Sequence, residues 1–164
     1  MQISRLSVIG VAVVALAMGC ESFNKMMGKK ESGEGKEVRV TLDQLSPQAK
    51  ATVQREIKGG QVEKIDAETE RGREVYDVEA NVDGKHMEYL IAKDTGEVLG
   101  TEAPIPYSAL PEPVRAAAEK HFGTNEGLTA MKCVEYGETK YEVEGMKGGK
   151  KSEISVDADG KHAE

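Results

Sequence analysis

The chain repeats itself at a spacing of 65 residues. When residues 45–94 are placed over residues 110–159, the two segments align without a gap and are identical at 11 of 50 positions. The identities fall mainly on turn glycines and on one recurring strand pattern: Leu45/Leu110, Ala51/Ala116, Glu70/Glu135, Gly72/Gly137, Tyr76/Tyr141, Val78/Val143, Glu79/Glu144, Gly84/Gly149, Lys85/Lys150, Glu88/Glu153 and Asp94/Asp159. The repeat predicts two copies of one supersecondary unit that stack side by side, because each copy is small for a domain that folds alone.

Each unit begins with a pattern typical of an amphipathic helix. In the first unit Ser46 is a suitable N-cap, Pro47 a suitable first-turn residue, and Gly59 a suitable stop. In the second unit the helix follows Leu110-Pro111 and stops at Gly123. Apolar residues recur every four positions in both: Leu45, Ala49, Val53 and Ile57, then Leu110, Val114, Ala118 and Phe122. Each helix is therefore predicted to bury one row of apolar side chains against the sheet.

Strands are predicted to follow each helix. In the first unit they span residues 61–70, 73–82, 85–92 and 97–101, and in the second unit residues 128–135, 140–146 and 150–157. Asp83-Gly84 and Gly148-Gly149 suit tight hairpin turns. The fold class predicted is α+β: two tandem helix-plus-antiparallel-hairpin repeats (residues 38–103 and 104–164), in one sheet with both helices packed on one face. Residues 102–107, with Pro104 and Pro106, are predicted to be a short stiff linker between them.

Strand alternation divides the side chains of the sheet into two sets. If the apolar residues face the helices, as Tyr76 and Tyr141 are expected to do, a set of carboxylates must point the other way. These are the candidate binding residues: Asp77, Glu79, Glu88, Glu142, Glu144 and Glu153. Such a face could attract a basic peptide, a cationic wall component or divalent ions. The alternative is that these carboxylates only keep the protein soluble, since Lys85, Lys150 and Lys151 lie near them.

The first 37 residues predict export and membrane anchoring. One basic residue, Arg5, precedes an apolar run over residues 6–18 that is long enough for a signal peptide and too short to span a bilayer. Residues 16–20 resemble a lipobox, so we expect residues 1–19 to be removed and Cys20 to be lipidated. Residues 20–37 have the composition of a flexible tether. The alternative is an ordinary signal peptide in which Cys20 has no role. Glu21 favours the outer membrane, facing the periplasm, if the host has two membranes.

Charge and motifs exclude several classes of function. The net charge is −7 and no Lys or Arg stripe occurs, which argues against nucleic-acid binding. No nucleophile elbow, phosphate-binding loop or zinc-protease motif is present, so we expect no catalytic residue, no cofactor and no enzymatic activity. His86, His121 and His162 lack metal-ligand spacing, so no metal site is predicted.

Two further motifs have both a functional and a structural interpretation. Cys133 could be a reactive thiol, but within a strand it is expected to be a small packed hydrophobic residue. Residues 157–160, Asp-Ala-Asp-Gly, resemble the start of a calcium loop, yet a twelfth-position Glu would fall at residue 168, past the last residue of the 164-residue sequence. The expected structure there is a strand that ends in an Asx turn.

The motifs of the second unit resemble PepSY-type domains of the beta-lactamase-inhibitor-like kind. They comprise an Leu-Pro-x-x-Val-Arg helix start at Leu110, the strand Tyr-Glu-Val-Glu over residues 141–144, and Gly-Lys-x-x-Glu-Ile-x-Val-Asp-x-Asp-Gly over residues 149–160. The first unit keeps the strand motif at residues 76–79 and Gly84-Lys85, but differs at its helix start and at residues 92–96. The resemblance covers nearly everything from Leu42 onward and implies an envelope or secreted binding module that restrains a peptidase or holds a periplasmic ligand.

Together these features predict a non-enzymatic, membrane-anchored extracytoplasmic binding module. Its partner is expected to be a peptidase or another envelope protein, bound by the sheet face opposite the helices. The alternatives that the sequence leaves open are a periplasmic small-ligand or cation-binding protein and a structural spacer of the envelope.

Overall fold

The structure is a computed structural model that describes residues 37–162. The predicted signal peptide, Cys20 and most of the predicted tether therefore lie outside the described residues. The elements are β1 (Val38–Arg39), α1 (Pro47–Ile57), β2 (Gln61–Glu70), β3 (Arg73–Val82), β4 (Lys85–Ala92), β5 (Val98–Ile105), α2 (Glu112–Phe122), β6 (Thr129–Glu135), β7 (Glu138–Lys147) and β8 (Lys150–Asp157).

The eight strands form one antiparallel sheet in which each strand pairs with the next along the chain. Two helices accompany this sheet, so the predicted α+β class is confirmed. Among residues 37–162, none belongs to a helix long and apolar enough to cross a membrane.

Both helices pack on the same face of the sheet. Tyr89, in the core below α1, lies opposite Thr101 of β5. Ile105, four residues further along the same strand, packs against the core below α2. Residues four apart on a strand point to one side, so the two cores share a face. The first core is Leu45, Ala49, Val53, Ile57, Ile65, Tyr76, Val78, Ala80, Tyr89 and Ile91. The second is Leu110, Val114, Ala118, Phe122, Ala130, Val143, Ile154 and Val156.

The apolar residues predicted to recur every four positions along the two helices all belong to these two cores. Val53 is 1% exposed and Val114 is 0% exposed, and each fully buried side chain of this kind contributes about 1.5–3 kcal/mol. At the start of α1 the Ser46 hydroxyl accepts a hydrogen bond of 3.2 Å from the Ala49 backbone amide, which confirms the predicted N-cap. Gly123 ends α2 with φ of 75°, the left-handed conformation favoured at that position.

Four hairpin turns have a residue pair with positive φ, as a type I′ turn requires. The pairs are Arg71-Gly72 (48° and 77°), Asp83-Gly84 (53° and 77°), Tyr136-Gly137 (48° and 83°) and Gly148-Gly149 (58° and 80°). The first and third pairs, and the second and fourth, are 65 residues apart. Equivalent positions of the two units therefore turn in the same way, whereas an origin by duplication stays a prediction.

The predicted linker is in fact part of a strand. β5 extends to Ile105 and pairs with β4 on one side and with β6 on the other. Pro104 has no N–H to donate to a neighbouring strand. It does not disrupt β5, because the pairing with β4 already ends at Glu102. The prediction of a linker was therefore wrong for residues 102–105, which belong to the sheet, so that its two halves are joined through hydrogen bonds as well as through the chain.

A glycine holds each helix start close to the sheet. A Cβ on Gly96 would lie 2.7 Å from the Gln48 backbone in the first turn of α1, and one on Gly160 would clash with the Pro113 carbonyl oxygen of α2. The Gly96 carbonyl also accepts a buried 2.7 Å hydrogen bond from the Thr52 hydroxyl. Only a residue without a side chain allows these two approaches of backbone to backbone.

We expect Gly96→Ala to destabilise the protein by about 2–4 kcal/mol, since it adds a backbone clash to the cost of a left-handed alanine. Gly72→Ala is the matched control, because Gly72 has a similar φ of 77° and a Cβ added there would meet no atom within 4 Å. The control should lose only about 1 kcal/mol in urea unfolding. Equal losses for the two variants would show that the close contact is not present.

Candidate binding face

Strand register brings acidic residues of neighbouring strands into one row. Glu79 lies opposite Glu88, Glu88 opposite Glu102, and Glu102 opposite Cys133. Residues directly opposite each other in an antiparallel sheet have Cβ atoms about 4.5–5.5 Å apart and share one face. Because Glu79 follows the helix-facing Val78, this row is on the sheet face away from the helices. We call that side the acidic face.

All six candidate residues lie on the acidic face, as strand alternation requires, but they differ in burial. Asp77, Glu79, Glu144 and Glu153 are partly exposed. Glu88 is 9% exposed and Glu142 is 4% exposed. The expectation that these carboxylates face solvent is therefore wrong for Glu88 and Glu142, although Glu144, on the same strand as Glu142, is partly exposed. A binding role for the six residues stays a prediction.

At one end of the acidic face the carboxylates are neutralised by basic residues. Asp66 of β2, whose side chain is 6% exposed, lies 2.7 Å from the Arg39 guanidinium and 3.0 Å from Lys64 Nζ. Lys64 Nζ is also 2.7 Å from a Glu79 carboxylate oxygen. Burial alone would raise the pKa of Asp66, but the hydrogen bonds from Arg39 and Lys64 outweigh it and hold this pKa below its usual range.

In the middle of the face the carboxylates are held close to one another. Burial, followed by the nearby charge of Glu102, raises the pKa of Glu88 to about 7, although contact with His86 opposes the rise. His86 Nε2 lies 3.2 Å from Glu88 Oε1, and His86 Nδ1 lies 2.9 Å from Glu63 Oε2. Burial lowers the pKa of His86, but these two contacts more than offset it and leave this pKa raised.

The same crowding continues on β7 and β8. Glu144 lies opposite Glu153, and Glu142 lies opposite Ser155. Burial, together with the charges of Glu144 and Glu102, raises the pKa of Glu153. The Ser155 residue is 6% exposed, and its Oγ has no hydrogen-bond partner among the described residues. A pKa raised by like charges marks a place where a cation would be stabilised.

A small apolar cluster occupies another part of the acidic face. It consists of Val75, Leu90, Ala92 and Leu99, with Tyr136 packed against it. The Arg71 guanidinium lies 4.6 Å from the centre of the Tyr136 ring, a cation–π distance. Close by, burial and the charge of Glu135 raise the pKa of Glu70 to about 7. The acidic face is thus partly apolar, which the sequence did not predict.

Sequence reasoning missed the residues that complete this face. Asp66 was assigned no role, and Glu102 was placed in a linker, although both are buried on the acidic face, at 4% and 3% exposure. Cys133 is buried in β6, as expected for a packed residue, but it lies opposite a carboxylate. If the sequence prediction had extended β5 to Ile105, alternation with the helix-facing Ala103 and Ile105 would have placed Glu102 on the acidic face.

The structural interpretation of residues 157–160 fits the described residues, and His121 makes a contact between a helix and a strand. Asp157 Oδ1 accepts hydrogen bonds of 2.9 Å from the backbone amides of Asp159 and Lys161, so the Asp-Ala-Asp-Gly segment forms the expected Asx-type turn. His121 Nε2 lies 2.9 Å from the Ser152 hydroxyl. His121 therefore lies between α2 and β8, in an ordinary polar contact.

The raised pKa of Glu88 predicts a pH dependence of stability. Between its ordinary pKa of 4.5 and about 7, Glu88 holds a proton in the folded protein that the unfolded chain releases. Its contribution to the free energy of unfolding is therefore lost as pH rises through that window. We expect Glu88→Gln to match the wild type at pH 5 and to exceed it at pH 8 by about 1–3 kcal/mol in urea unfolding with EDTA present.

The control for this measurement is Glu74→Gln. Glu74 is on the same strand as Glu79, but its side chain is 72% exposed. This variant should keep the wild-type difference between pH 5 and pH 8. If Glu88→Gln also leaves the difference in unfolding free energy between pH 5 and pH 8 unchanged, Glu88 does not have a raised pKa in the folded protein.

Comparison with known proteins finds a family match over part of the chain. Residues 48–102 match the family model of PepSY, described as peptidase propeptide and YPEB domain. A crystal structure of a BLIP-like protein from Bacteroides fragilis is similar, with 18% identity, a TM-score of 0.49, and coverage of 73% of this chain and 84% of that one. No curated protein matches the sequence at a significant level. The PepSY match covers most of the first unit, from the first turn of α1 into β5, and the chain therefore contains a PepSY-like domain.

Proposed function

We propose that this protein is a non-catalytic binding module of the cell envelope, and that its acidic face holds a basic segment of a protein partner. The observation that carries the proposal is the concentration of carboxylates at the centre of that face. Glu88, Glu102 and Glu142 are all buried there, and Glu144 and Glu153 lie beside them. Like charges in such an arrangement repel one another, and a cationic partner would offset the repulsion.

The family match supports a peptidase, or another envelope protein, as the partner. The matched family is described by its occurrence in peptidase propeptides, which are segments that accompany peptidases. Family likeness is an associational argument, so the charge of the acidic face supplies the physical one. A basic protein segment fits this face better than an acidic one, because a row of crowded carboxylates repels further negative charge.

The proposed arrangement of the chain follows the sequence. Residues 1–19 would be the signal peptide, residues 20–37 the lipidated cysteine and tether, and residues 38–103 and 104–164 the two units. The first described strand begins at Val38. A tether of this length would let the acidic face reach partners near the membrane surface, on the periplasmic side of an outer membrane if the host has one.

We expect Glu144→Gln/Glu153→Gln to weaken capture of the partner from a solubilised envelope fraction about tenfold, equivalent to ~1.4 kcal/mol. The loss should resemble the effect of raising the salt concentration, since partly exposed charges are screened by salt. The double variant removes a like-charge pair, so it should be at least as stable as the wild type in thermal unfolding. Loss of capture could then not be attributed to misfolding.

The matched control is Glu74→Gln/Glu112→Gln. It makes the same change of charge at exposed positions that are not on the acidic face, since Glu74 shares the side of Tyr76 and Glu112 begins α2. Capture by this control should equal that by the wild type. If the two double variants capture the partner equally well, the acidic face is not the binding surface.

Anchoring by lipid is tested through the two cysteines of the chain. Cys20→Ala should move the protein from the membrane fraction to the soluble fraction after cell disruption, because no acyl chain can then be attached. Cys133→Ser should leave the protein in the membrane fraction. Membrane sedimentation of Cys20→Ala at the wild-type level would rule out the lipid anchor.

A further inference from the structure

Three buried side chains from consecutive strands meet at the centre of the acidic face. Glu102 of β5 is 3% exposed, Cys133 of β6 is 7% exposed, and Glu142 of β7 is 4% exposed. One oxygen of each carboxylate and the Cys133 sulfur all lie within 4.8 Å of one another. The sequence hides this group, because its members are separated by 31 and 9 residues and the register of three strands brings them together.

The chemistry of these donors selects a class of metal. A thiolate with carboxylates suits a borderline divalent cation such as Zn²⁺, whereas Mg²⁺ and Ca²⁺ prefer oxygen ligands throughout. Zinc binds sulfur at about 2.3 Å and carboxylate oxygen at about 2.0–2.2 Å, so tetrahedral ligands lie about 3.5 Å from each other. Small side-chain rotations would bring the three donor atoms from their present separations to that value.

A second, independent observation points to a ligand at this place. Ser155 of β8 lies opposite Glu142 and points to the same face. The residue is 6% exposed, and its hydroxyl oxygen has no hydrogen-bond partner among residues 37–162. A buried hydroxyl without a partner is costly. Beside a metal site, this hydroxyl would donate to a ligating carboxylate or to a metal-bound water, which is the usual role of groups around metal ligands.

The surroundings of the three residues also favour a cation. Glu88 lies opposite Glu102, and Glu153 lies opposite Glu144, two residues from Glu142 on β7. A divalent cation at the centre would stabilise the charged form of the carboxylates around it. The basic residue nearest in strand register is Lys140, which lies opposite Cys133.

We propose that Glu102, Cys133 and Glu142 bind one Zn²⁺ ion, with water in the fourth ligand position and Ser155 hydrogen-bonded next to it. Binding replaces the thiol proton and any proton on the carboxylates with the metal, so protons are released and no oxidation occurs. The site goes beyond the proposed protein-binding function and does not depend on it. It would tie β5, β6 and β7 together, and hence join the two units.

The test uses the full chain with Cys20→Ala, in which Cys133 is the only remaining cysteine. After treatment with EDTA and a reductant, the protein is titrated with Co²⁺, which is a spectroscopic substitute for zinc. We expect one Co²⁺ per chain, with a thiolate-to-cobalt charge-transfer band that stoichiometric Zn²⁺ abolishes. Absence of that band in the otherwise unaltered chain overturns the proposal, whatever the behaviour of further variants.

Three variants then assign the ligands. Cys133→Ser should eliminate the charge-transfer band, and Glu142→Gln should weaken Zn²⁺ binding about tenfold or more. Glu144→Gln removes a carboxylate two residues along the same strand and should change the affinity less than about threefold. Circular dichroism confirms that each variant is folded. A band that survives in Cys133→Ser, or equal losses for Glu142→Gln and Glu144→Gln, would show that the metal binds elsewhere.

Discussion

The structure depends on β5, the strand that pairs with β4 on one side and with β6 on the other. Its hydrogen bonds to β4 and β6 turn two helix-covered sheets into one sheet of eight strands. They also fix the register between the units, so that Glu88, Glu102 and Cys133 lie in line across three strands. Without this strand, each unit would have a core of eight or ten buried residues and an exposed sheet edge. The strand therefore provides both the continuity of the fold and the centre of the acidic face.

Alternation along the strands then determines the chemistry of the two faces. The apolar residues of each strand are used on the helix side, where they form two separate cores. The residues between them are mostly acidic, and register places them next to one another. At the edge near β1, Arg39 and Lys64 compensate for Asp66. In the middle, burial and mutual repulsion act together on Glu88 and Glu153. Such crowding is costly in the unliganded protein, and a bound cation, whether a metal ion or a basic side chain, would remove part of that cost.

Most of the fold could be predicted from the sequence, because its signals are local. The helix stripes, the N-cap at Ser46 and the glycine turns act over a few residues, and β2, β3, β4 and β8 have the predicted bounds. The error at β5 arose from Pro104 and Pro106, which argue against a strand unless the pairing partner of each residue is known. The orientation of the six carboxylates followed from alternation. Their burial did not, because it depends on how neighbouring side chains cover each carboxylate. Nor could the meeting of Cys133 with Glu102 and Glu142 be predicted, because it depends on the register of three strands.

The central claim is that strand register forces carboxylates together at a buried position, at a cost in free energy. It is tested most directly by following the side-chain carboxyl carbons of the glutamates by NMR as a function of pH in metal-free protein. The account predicts that Glu88 titrates near 7, well above its ordinary value of 4.5. If Glu88 titrates near 4.5, the carboxylates of the acidic face are solvated and independent of one another, and the account is contradicted.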